Sequence, residues 1–309
     1  MRLKLGRPAL GPYADRFDVP AASPGRLGVT FLGVATLLLD DGESAVMTDG
    51  FFSRPGLARL ARGRIAPDAR RIDAALSRVG VDRLLALAPV HTHYDHALDS
   101  AAVAHRTGAV LVGGESAAHV GRGGGLPEEQ VQVVVPGEPR TYGPFTLTWV
   151  ASEHCPPDRF PGPITAPVVP PARLGAYRCG EAWSLLVEHT SGHTALLQGS
   201  AGYLPGALAG HTAEVAYLGV GQLGVQDEAY LHAYWQHTVR AVGARRVVLT
   251  HWDDFFRGLD RPLRALPYAG DDLRATMRVL SGLAADDGIA LHLPQVFRRE
   301  DPWADLPAA

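Results

Sequence analysis

Short apolar runs alternate with glycine, proline and aspartate along the chain, a pattern that predicts many short β-strands joined by turns. The first of these runs occupy residues 28–32, 35–39, 44–48 and 109–112. The later runs occupy residues 131–135, 145–150, 182–188, 194–198, 214–220, 246–250 and 290–293. The pairs Asp41-Gly42 and Ser191-Gly192 lie between neighbouring runs, and they predict two β-hairpins.

Helical spacing of apolar residues appears between the strand-like runs. Two helix faces are predicted in this way, one by Leu98, Ala101, Ala102 and His105, and one by Leu231, Trp235, Thr238 and Val242. Further helices are predicted within residues 54–84, 116–120 and 271–282, and Gly108 predicts a helix end. The glycine-rich residues 121–125 predict a mobile loop. Two strand-rich blocks, each followed by helices, suggest two similar halves.

Three segments lack a regular pattern. Residues 1–27 are rich in proline and glycine and are predicted to lie over the surface as a strap, and residues 294–309 as a charged surface tail. Residues 156–173 contain too many prolines for a regular helix or a central strand, so a stiff loop is predicted there. The length of the chain suits one large domain or two small ones, and we expect a single domain over residues 1–309.

The composition narrows the class of protein. A hydrophobic content of 46% and a charged content of 20% fit a folded globular chain. The net charge of -3 does not favour a nucleic-acid partner. Two cysteines are too few for a disulfide framework. Residues 1–27 lack the apolar run of a signal peptide, and no later window has the length of a membrane span. We therefore expect a cytoplasmic protein.

The strongest chemical signal is the sequence HTHYDH at residues 91–96, directly after an apolar run. Imidazole and carboxylate are ligands that suit zinc and also iron or manganese. In an extended segment, side chains two residues apart point the same way, so His91 and His93 can reach one metal ion. Asp95 and His96 can reach a second position if the chain bends there into a helix. A polar loop with solvated histidines is the alternative, and it explains so dense a cluster poorly.

Two further histidines follow strand-like runs in the same way, His154 and His251. A metal held by His91 and His93 needs a third protein ligand, which makes His154 a candidate. Loops at one edge of a sheet commonly build the site in layered α/β folds. We therefore expect these histidines to meet at such an edge.

Other polar residues near these positions have simpler interpretations. Cys155 is interpreted as a small buried filler next to a ligand. Asp49 follows a strand-like run and is either a turn residue or a carboxylate that orients a ligating histidine. The histidines that we do not expect to be ligands are His105, in a packing role, His189 and His193, expected to be solvated, and His232 and His237, expected to be exposed.

With these residues considered together, the chain resembles the metallo-β-lactamase superfamily over residues 28–256. The H-x-H-x-D-H segment at residues 91–96 is specific, whereas His154 and His251 match through their order and spacing. A further resemblance, to the branch that includes ascorbate-phosphate lactonases and N-acyl-phosphatidylethanolamine phospholipase D, is carried by residues 31–36 and 48–50. The resemblance implies an α/β fold, a four-layer αβ/βα sandwich with a metal site at one edge of its two sheets.

The resemblance also implies two sets of ligands. The first metal would be held by His91, His93 and His154, and the second by Asp95, His96 and His251. The superfamily usually has an aspartate that bridges both metals, and Ser200 stands at the matching position of this chain. A neutral hydroxyl is a weaker ligand than a carboxylate, so a water or Asp253 is a candidate substitute. We expect one or two zinc ions, with manganese or iron as alternatives.

The hypothesis that follows is a metal-dependent hydrolase, in which metal-bound hydroxide attacks a phosphodiester or a lactone-type ester. The branch resemblance favours the phosphodiester. Asp95 is the candidate catalytic residue, because its carboxylate can orient the water or accept its proton. The stiff loop after His154 makes Arg159 and Phe160 candidates for contact with substrate, and Tyr203 is a further candidate.

Two other functions stay open at this point. One is an iron-dependent redox enzyme of the same fold, and the other is a non-catalytic metal-binding protein, for which the Ser200 substitution is the main argument. The expected partner is a small-molecule ester or phosphodiester. The sequence contains no amphipathic basic helix that would indicate contact with a membrane surface. It does not define an oligomeric state.

Overall fold

The computed structural model describes residues 4–306, so residues 1–3 of the predicted strap and 307–309 of the predicted tail lie outside the described part. The described residues form two seven-stranded sheets and a two-stranded ribbon. In chain order the strands are β1 (Gly28–Phe31), β2 (Leu37–Asp40), β3 (Ala45–Thr48), β4 (Arg64–Ile65), β5 (Ala86–Ala88), β6 (Val110–Gly113), β7 (Val131–Val133), β8 (Pro139–Tyr142), β9 (Phe145–Ser152), β10 (Ala172–Arg173), β11 (Ala182–His189), β12 (Thr194–Gln198), β13 (Val215–Gly219), β14 (Arg246–Thr250), β15 (Ala290–His292) and β16 (Arg299–Glu300).

Helices occupy most of the segments in which helical spacing predicts them. In chain order they are α1 (Leu57–Ala61), α2 (Ala69–Val79), α3 (Tyr94–Ala97), α4 (Ser100–Thr107), α5 (Glu115–Gly123), α6 (Glu228–Trp235) and α7 (Leu273–Asp286). Gly108 has φ of 69° and ends α4 as expected. Among residues 4–306, no helix combines the length and the apolar character that crossing a membrane requires.

The two large sheets follow one plan. The first has the strand order β16-β1-β2-β3-β5-β6-β7, antiparallel from β16 to β3 and parallel from β3 to β7. The second has the order β15-β14-β13-β12-β11-β9-β8, parallel from β15 to β12 and antiparallel from β12 to β8. Both predicted hairpins are present, as β2–β3 and β11–β12. Each half thus contains a parallel and an antiparallel part.

Alternating side chains place the core between the sheets and the helices outside them. Leu39 of β2 belongs to a core cluster that also contains Leu197 of the second sheet and Leu280 of α7. Its neighbour Leu38 belongs to a second cluster, with Ile72 of α2 and residues of α4. The layers therefore run helix, sheet, sheet, helix, and the predicted four-layer αβ/βα sandwich is confirmed.

The prediction of a mobile glycine loop at residues 121–125 is wrong, because α5 continues through Gly121 to Gly123. A Cβ at Gly121 would lie 2.8 Å from Cδ2 of Leu111, and one at Gly123 would lie 2.1 Å from the carbonyl oxygen of Val168. These glycines let the helix pack closely on β6 and on the proline-rich segment. Glycine marks close approach here, not mobility.

Two smaller predictions also need correction. Strand β2 begins at Leu37 instead of residue 35, because residues 33–36 form a tight turn in which the Thr36 amide donates to Gly33 at 2.9 Å. The side chain of His189, expected to be solvated, is only 8% exposed and lies 3.2 Å from Asp41. His232 is exposed, as predicted.

The predicted tail supplies a strand to the first sheet and contacts the second. The tail supplies β16, in which Glu300 pairs with Val29 of β1. Trp303 then lies buried, and its Nε1 donates to the carbonyl of Thr194 in β12 at 3.0 Å. The strap is held nearby, since the amide of Leu293 donates to the carbonyl of Arg16 at 2.8 Å. The tail therefore connects the first sheet to the second.

We expect Trp303→Ala to lower the free energy of unfolding by about 3–5 kcal/mol, because it leaves a cavity and removes the contact with β12. Urea unfolding followed by circular dichroism measures the loss. Leu57→Ala is the control, since Leu57 is 64% exposed and little apolar burial is lost there. Equal losses in the two variants would show that the tail does not stabilise the sandwich.

A second prediction concerns the pH dependence of stability. Burial raises the pKa of Glu300 to about 7, whereas its ordinary value is 4.5. Between these values the folded chain keeps a proton that the unfolded chain has lost, so this group makes stability fall as pH rises. We expect the free energy of unfolding of Glu300→Gln to rise relative to that of wild type by on the order of 1–3 kcal/mol from about pH 5 to about pH 8. Glu188 is exposed, so the control variant Glu188→Gln should show no such rise.

Candidate metal centre

The candidate ligands follow the carboxyl ends of strands from both sheets. Asp49 comes directly after β3, and His91 and His93 follow β5, which runs parallel to β3. From the second sheet, His154 follows β9 and His251 follows β14. The ends of these strands meet at one edge of the sandwich, which is the arrangement that the sequence predicts.

The bend that brings the remaining ligands inward is helix α3. The helix begins at Tyr94, so Asp95 and His96 lie in its first turn. His93 precedes it in an extended conformation, with ψ of 154°. The change from extended chain to helix turns Asp95 and His96 toward a different position from that of the first two histidines.

The first candidate group contains His91, His93 and His154, whose ligand atoms lie within 4.8 Å of one another. The ring centroids of His93 and His154 are 4.6 Å apart. Nδ1 of His154 lies 2.7 Å from the carbonyl oxygen of Cys155. Because a carbonyl only accepts, this nitrogen carries the proton and Nε2 keeps its lone pair. All three imidazoles can therefore direct a lone pair into one site.

The second candidate group contains Asp95, His96 and His251, also within 4.8 Å of one another. Nε2 of His251 lies 3.2 Å from Nε2 of His96 and 3.6 Å from Oδ2 of Asp95. The two groups adjoin, since the ring centroids of His91 and His96 are 3.8 Å apart. Six donor residues thus form one continuous cluster.

Asp49 contacts His96 directly, in agreement with the orienting alternative for this residue. Its Oδ2 lies 2.8 Å from Nδ1 of His96, and its Oδ1 accepts from the amide of Val90 at 2.9 Å. This contact directs Nε2 of His96 toward the second group. Burial raises the pKa of Asp49 well above its ordinary value, against the effect of the Val90 amide, and the charge of Asp95 raises it further. A cation in the cluster would favour the ionised form of both Asp49 and Asp95.

The donor set fits a metal ion. Both ring nitrogens of His91, Nε2 of His93 and Nδ1 of His251 are buried without a hydrogen-bond partner. Buried polar atoms are rarely left in this state. Burial lowers the pKa of His91 and His96, and it lowers the pKa of His154 to about 4, with neighbouring imidazoles adding to the effect. Neutral imidazole is the form that binds a metal.

Asp253 belongs to none of the candidate ligand groups, and its contacts agree with a supporting role behind the ligands; a role as substitute ligand stays a prediction. Its carboxylate is fully buried, paired with Arg54, and accepts from the amide of Val34 at 2.8 Å. The carbonyl of Val34 in turn accepts from the amide of His251 at 2.6 Å. Asp253 therefore acts one step behind the site. It holds the turn that fixes His251, whose φ is 59°.

Ser200 lies in the loop that packs beside His154. Its Oγ accepts from the amide of Cys155 at 3.0 Å, and its carbonyl accepts from the hydroxyl of Tyr234 at 3.3 Å. Next to it, a Cβ at Gly202 would lie 2.0 Å from the carbonyl oxygen of Glu153. The hydroxyl thus positions the backbone that follows His154. A ligand role for Ser200 stays a prediction.

Among the described residues, those predicted to contact substrate form no hydrogen bond or ring contact with any of the six donor residues. Arg159 is exposed in the proline-rich segment, and the carbonyl of Phe160 accepts from the amide of Cys179 at 2.8 Å. The ring of Tyr203 stacks on His237 with centroids 5.3 Å apart and also packs against Tyr230. The substrate roles of these residues stay predictions.

Asp158 is a residue near the site that the sequence interpretation missed. Its Oδ1 lies 3.1 Å from Nε2 of His93, and its charge acts against the lowering of the His154 pKa by burial. The signal available was an acidic residue four positions after His154, inside a segment too rich in proline to be regular. That segment is predicted only as a stiff loop with candidate substrate contacts at Arg159 and Phe160.

Solved structures similar to this chain identify the fold. A Veillonella parvula protein described as a possible metal-dependent hydrolase has a TM-score of 0.55 at 16% identity, over 88% of this chain and 98% of its own. YhfI of Bacillus subtilis, a metallo-β-lactamase fold protein, has a TM-score of 0.51 at 15% identity, over 89% of this chain and 99% of its own. CmlA of Streptomyces venezuelae, a diiron β-hydroxylase, has a TM-score of 0.55 at 13% identity, over 90% of this chain and 54% of its own. No family model and no curated protein matches the sequence.

Likeness at such low identity establishes the fold and nothing finer. The chain has the metallo-β-lactamase fold, as the sequence resemblance implies. Its place in the branch of lactonases and phospholipase D stays a prediction. The candidate metal centre at one edge of the sandwich rests on the His/Asp cluster formed by this chain's own side chains.

We expect Asp49→Asn to weaken zinc binding about 10- to 100-fold, because a neutral amide orients His96 less firmly and makes it less basic. Competition with a chromogenic chelator measures the affinity. Asp41→Asn is a matched control, since Asp41 also contacts a histidine, His189, at 3.2 Å, but outside both ligand groups. Unchanged affinity in Asp49→Asn would contradict an orienting role for this carboxylate.

Proposed function

We propose that this protein is a metal-dependent hydrolase that cleaves a phosphodiester or a lactone-type ester. The observation that supports the proposal most directly is the cluster of six donor residues, several with buried ring nitrogens that lack hydrogen-bond partners. Such nitrogens lower stability unless a bound group completes them. A metal ion would take the lone pair of one nitrogen in each of these rings, and zinc with ligands of this kind commonly supports hydrolysis.

The proposed first metal position would be held by His91, His93 and His154, and the second by Asp95, His96 and His251. We propose zinc, with one or two ions per chain, and manganese or iron as alternatives. Zinc supplies a Lewis acid that polarises the scissile group and lowers the pKa of a bound water to roughly 7. The protein contributes the orientation of the ligands and a site largely closed to bulk solvent.

Asp95 is the proposed catalytic residue. Its Oδ2 faces Nε2 of His251 at 3.6 Å, which leaves its other oxygen free to contact a water molecule. A carboxylate in this position can orient the attacking water and accept its proton. His251 is held by its backbone, so Asp95 and His251 keep a fixed relative position during the reaction.

Arg159 supports a phosphodiester over a lactone. Arg159 lies in the proline-rich segment that follows His154, and its side chain is exposed. From this segment a guanidinium can form paired hydrogen bonds with a phosphoryl group, which a neutral lactone does not offer.

An iron-dependent redox enzyme is the second candidate. Histidine and carboxylate donors also suit iron. CmlA, described as a diiron β-hydroxylase, has a fold similar to that of this chain. Iron in protein purified without added metal, together with no hydrolysis of any ester, would favour this function over the first.

We expect His91→Ala to lose bound zinc and to lower kcat/KM for bis(4-nitrophenyl) phosphate roughly a thousandfold or more, because the first position loses a ligand. Elemental analysis gives the zinc content, and nitrophenolate release gives the rate. His232→Ala is the control, since His232 is exposed on α6. Wild-type zinc content and rate in His91→Ala would contradict the proposal.

A further inference from the structure

A third donor group shares His93 with the first. One ligand atom each of His93, Asp158 and Cys179 lies within 4.8 Å of the others. Oδ1 of Asp158 is 3.1 Å from Nε2 of His93, yet this buried nitrogen makes no hydrogen bond. The contact therefore has the spacing of two ligands around one ion and not the alignment of a hydrogen bond.

The Asp158 carboxylate is held in place from several sides. The amide of Phe160 donates to its Oδ1 at 2.9 Å, and the sulfur of Cys179 lies within 4.8 Å of the carboxylate. Cys179 is fixed in turn, because its amide donates to the carbonyl of Phe160 and its own carbonyl accepts from the amide of Thr92, both at 2.8 Å. Thr92 is the residue between the first two histidines, so this loop is tied directly to the ligand segment.

Charge also distinguishes the two metal positions. The first group consists of three imidazoles, whereas the second contains the Asp95 carboxylate and has Asp49 behind His96. Among the donor groups of the described residues, Asp158 is the carboxylate in the group that shares His93 with the first. A buried dication is compensated better by a carboxylate than by neutral donors alone.

We propose that Asp158 is a ligand of the first metal ion, completing the set of His91, His93 and His154 with a carboxylate from the proline-rich segment. The inference rests on the metal centre proposed above. With four protein donors, the first position binds an ion more tightly than the second. Cys179 is a positioning residue, since its backbone joins Phe160, two residues after Asp158, to Thr92 between the first two histidines.

The test uses cobalt(II) as the probe on the metal-free full chain, because its visible bands report the ligands directly. Asp158→Asn keeps an oxygen that accepts from the Phe160 amide, so it preserves the loop and removes the charge. We expect the affinity for the first cobalt ion to fall about 10- to 100-fold and its visible bands to change. Glu153→Gln, which removes an exposed carboxylate next to His154, is the matched control and should bind like wild type.

Two further results separate this inference from the proposed function. Wild-type affinity and spectrum in Asp158→Asn would overturn the ligand role while leaving the metal centre intact, whereas a wild-type chain that binds neither cobalt nor zinc would overturn both. If Asp158→Asn fails to fold, Asp158→Glu still tests the inference, because it retains a carboxylate and should keep most of the affinity for cobalt. Equal loss in the Glu and Asn variants, with native circular dichroism, would also overturn the ligand role.

Discussion

Imidazole nitrogens that are buried at the edge of the two sheets without hydrogen-bond partners constrain the rest of this structure. His91 has both ring nitrogens in this state, and burial lowers its pKa so that the ring stays neutral. A buried polar atom without a partner destabilises a folded chain by about 1–3 kcal/mol. The surrounding sandwich must therefore be stable enough to hold these rings in place. A metal ion that accepts their lone pairs converts that destabilisation into binding free energy.

Residues from both halves of the fold position these rings. Asp49, at the end of a strand in the first sheet, fixes the orientation of His96. His251 comes from the second sheet, but its amide donates to Val34 in a turn of the first sheet, and the buried pair of Asp253 and Arg54 holds that turn. The site therefore depends on the packing of one sheet against the other. A change at Arg54 would reach the ligands through the backbone, although Arg54 itself contacts none of them.

Local patterns were sufficient to predict the fold and the cluster of histidines. Strand spacing, turn residues and the HTHYDH segment each depend on neighbours along the chain, and His91, His154 and His251 each come shortly after a strand. Contacts between distant segments were harder to predict. Asp158 approaches His93 because the proline-rich segment hydrogen-bonds to Cys179, which in turn hydrogen-bonds to Thr92. Asp253 lies away from the site because its partner is Arg54. Gly121 was misjudged for the same reason, since its close contact with β6 is tertiary and leaves no local pattern.

The central claim is that the His/Asp cluster binds metal, and anomalous X-ray diffraction from crystals of the protein, purified without added metal and then supplied with zinc, tests it most directly. The account predicts a strong anomalous peak at the zinc edge about 2.0–2.1 Å from nitrogens of His91, His93 and His154. A second, weaker peak beside Asp95 and His251 would agree with two positions of unequal affinity. No peak at the cluster, or zinc only at surface histidines such as His232, would contradict the account.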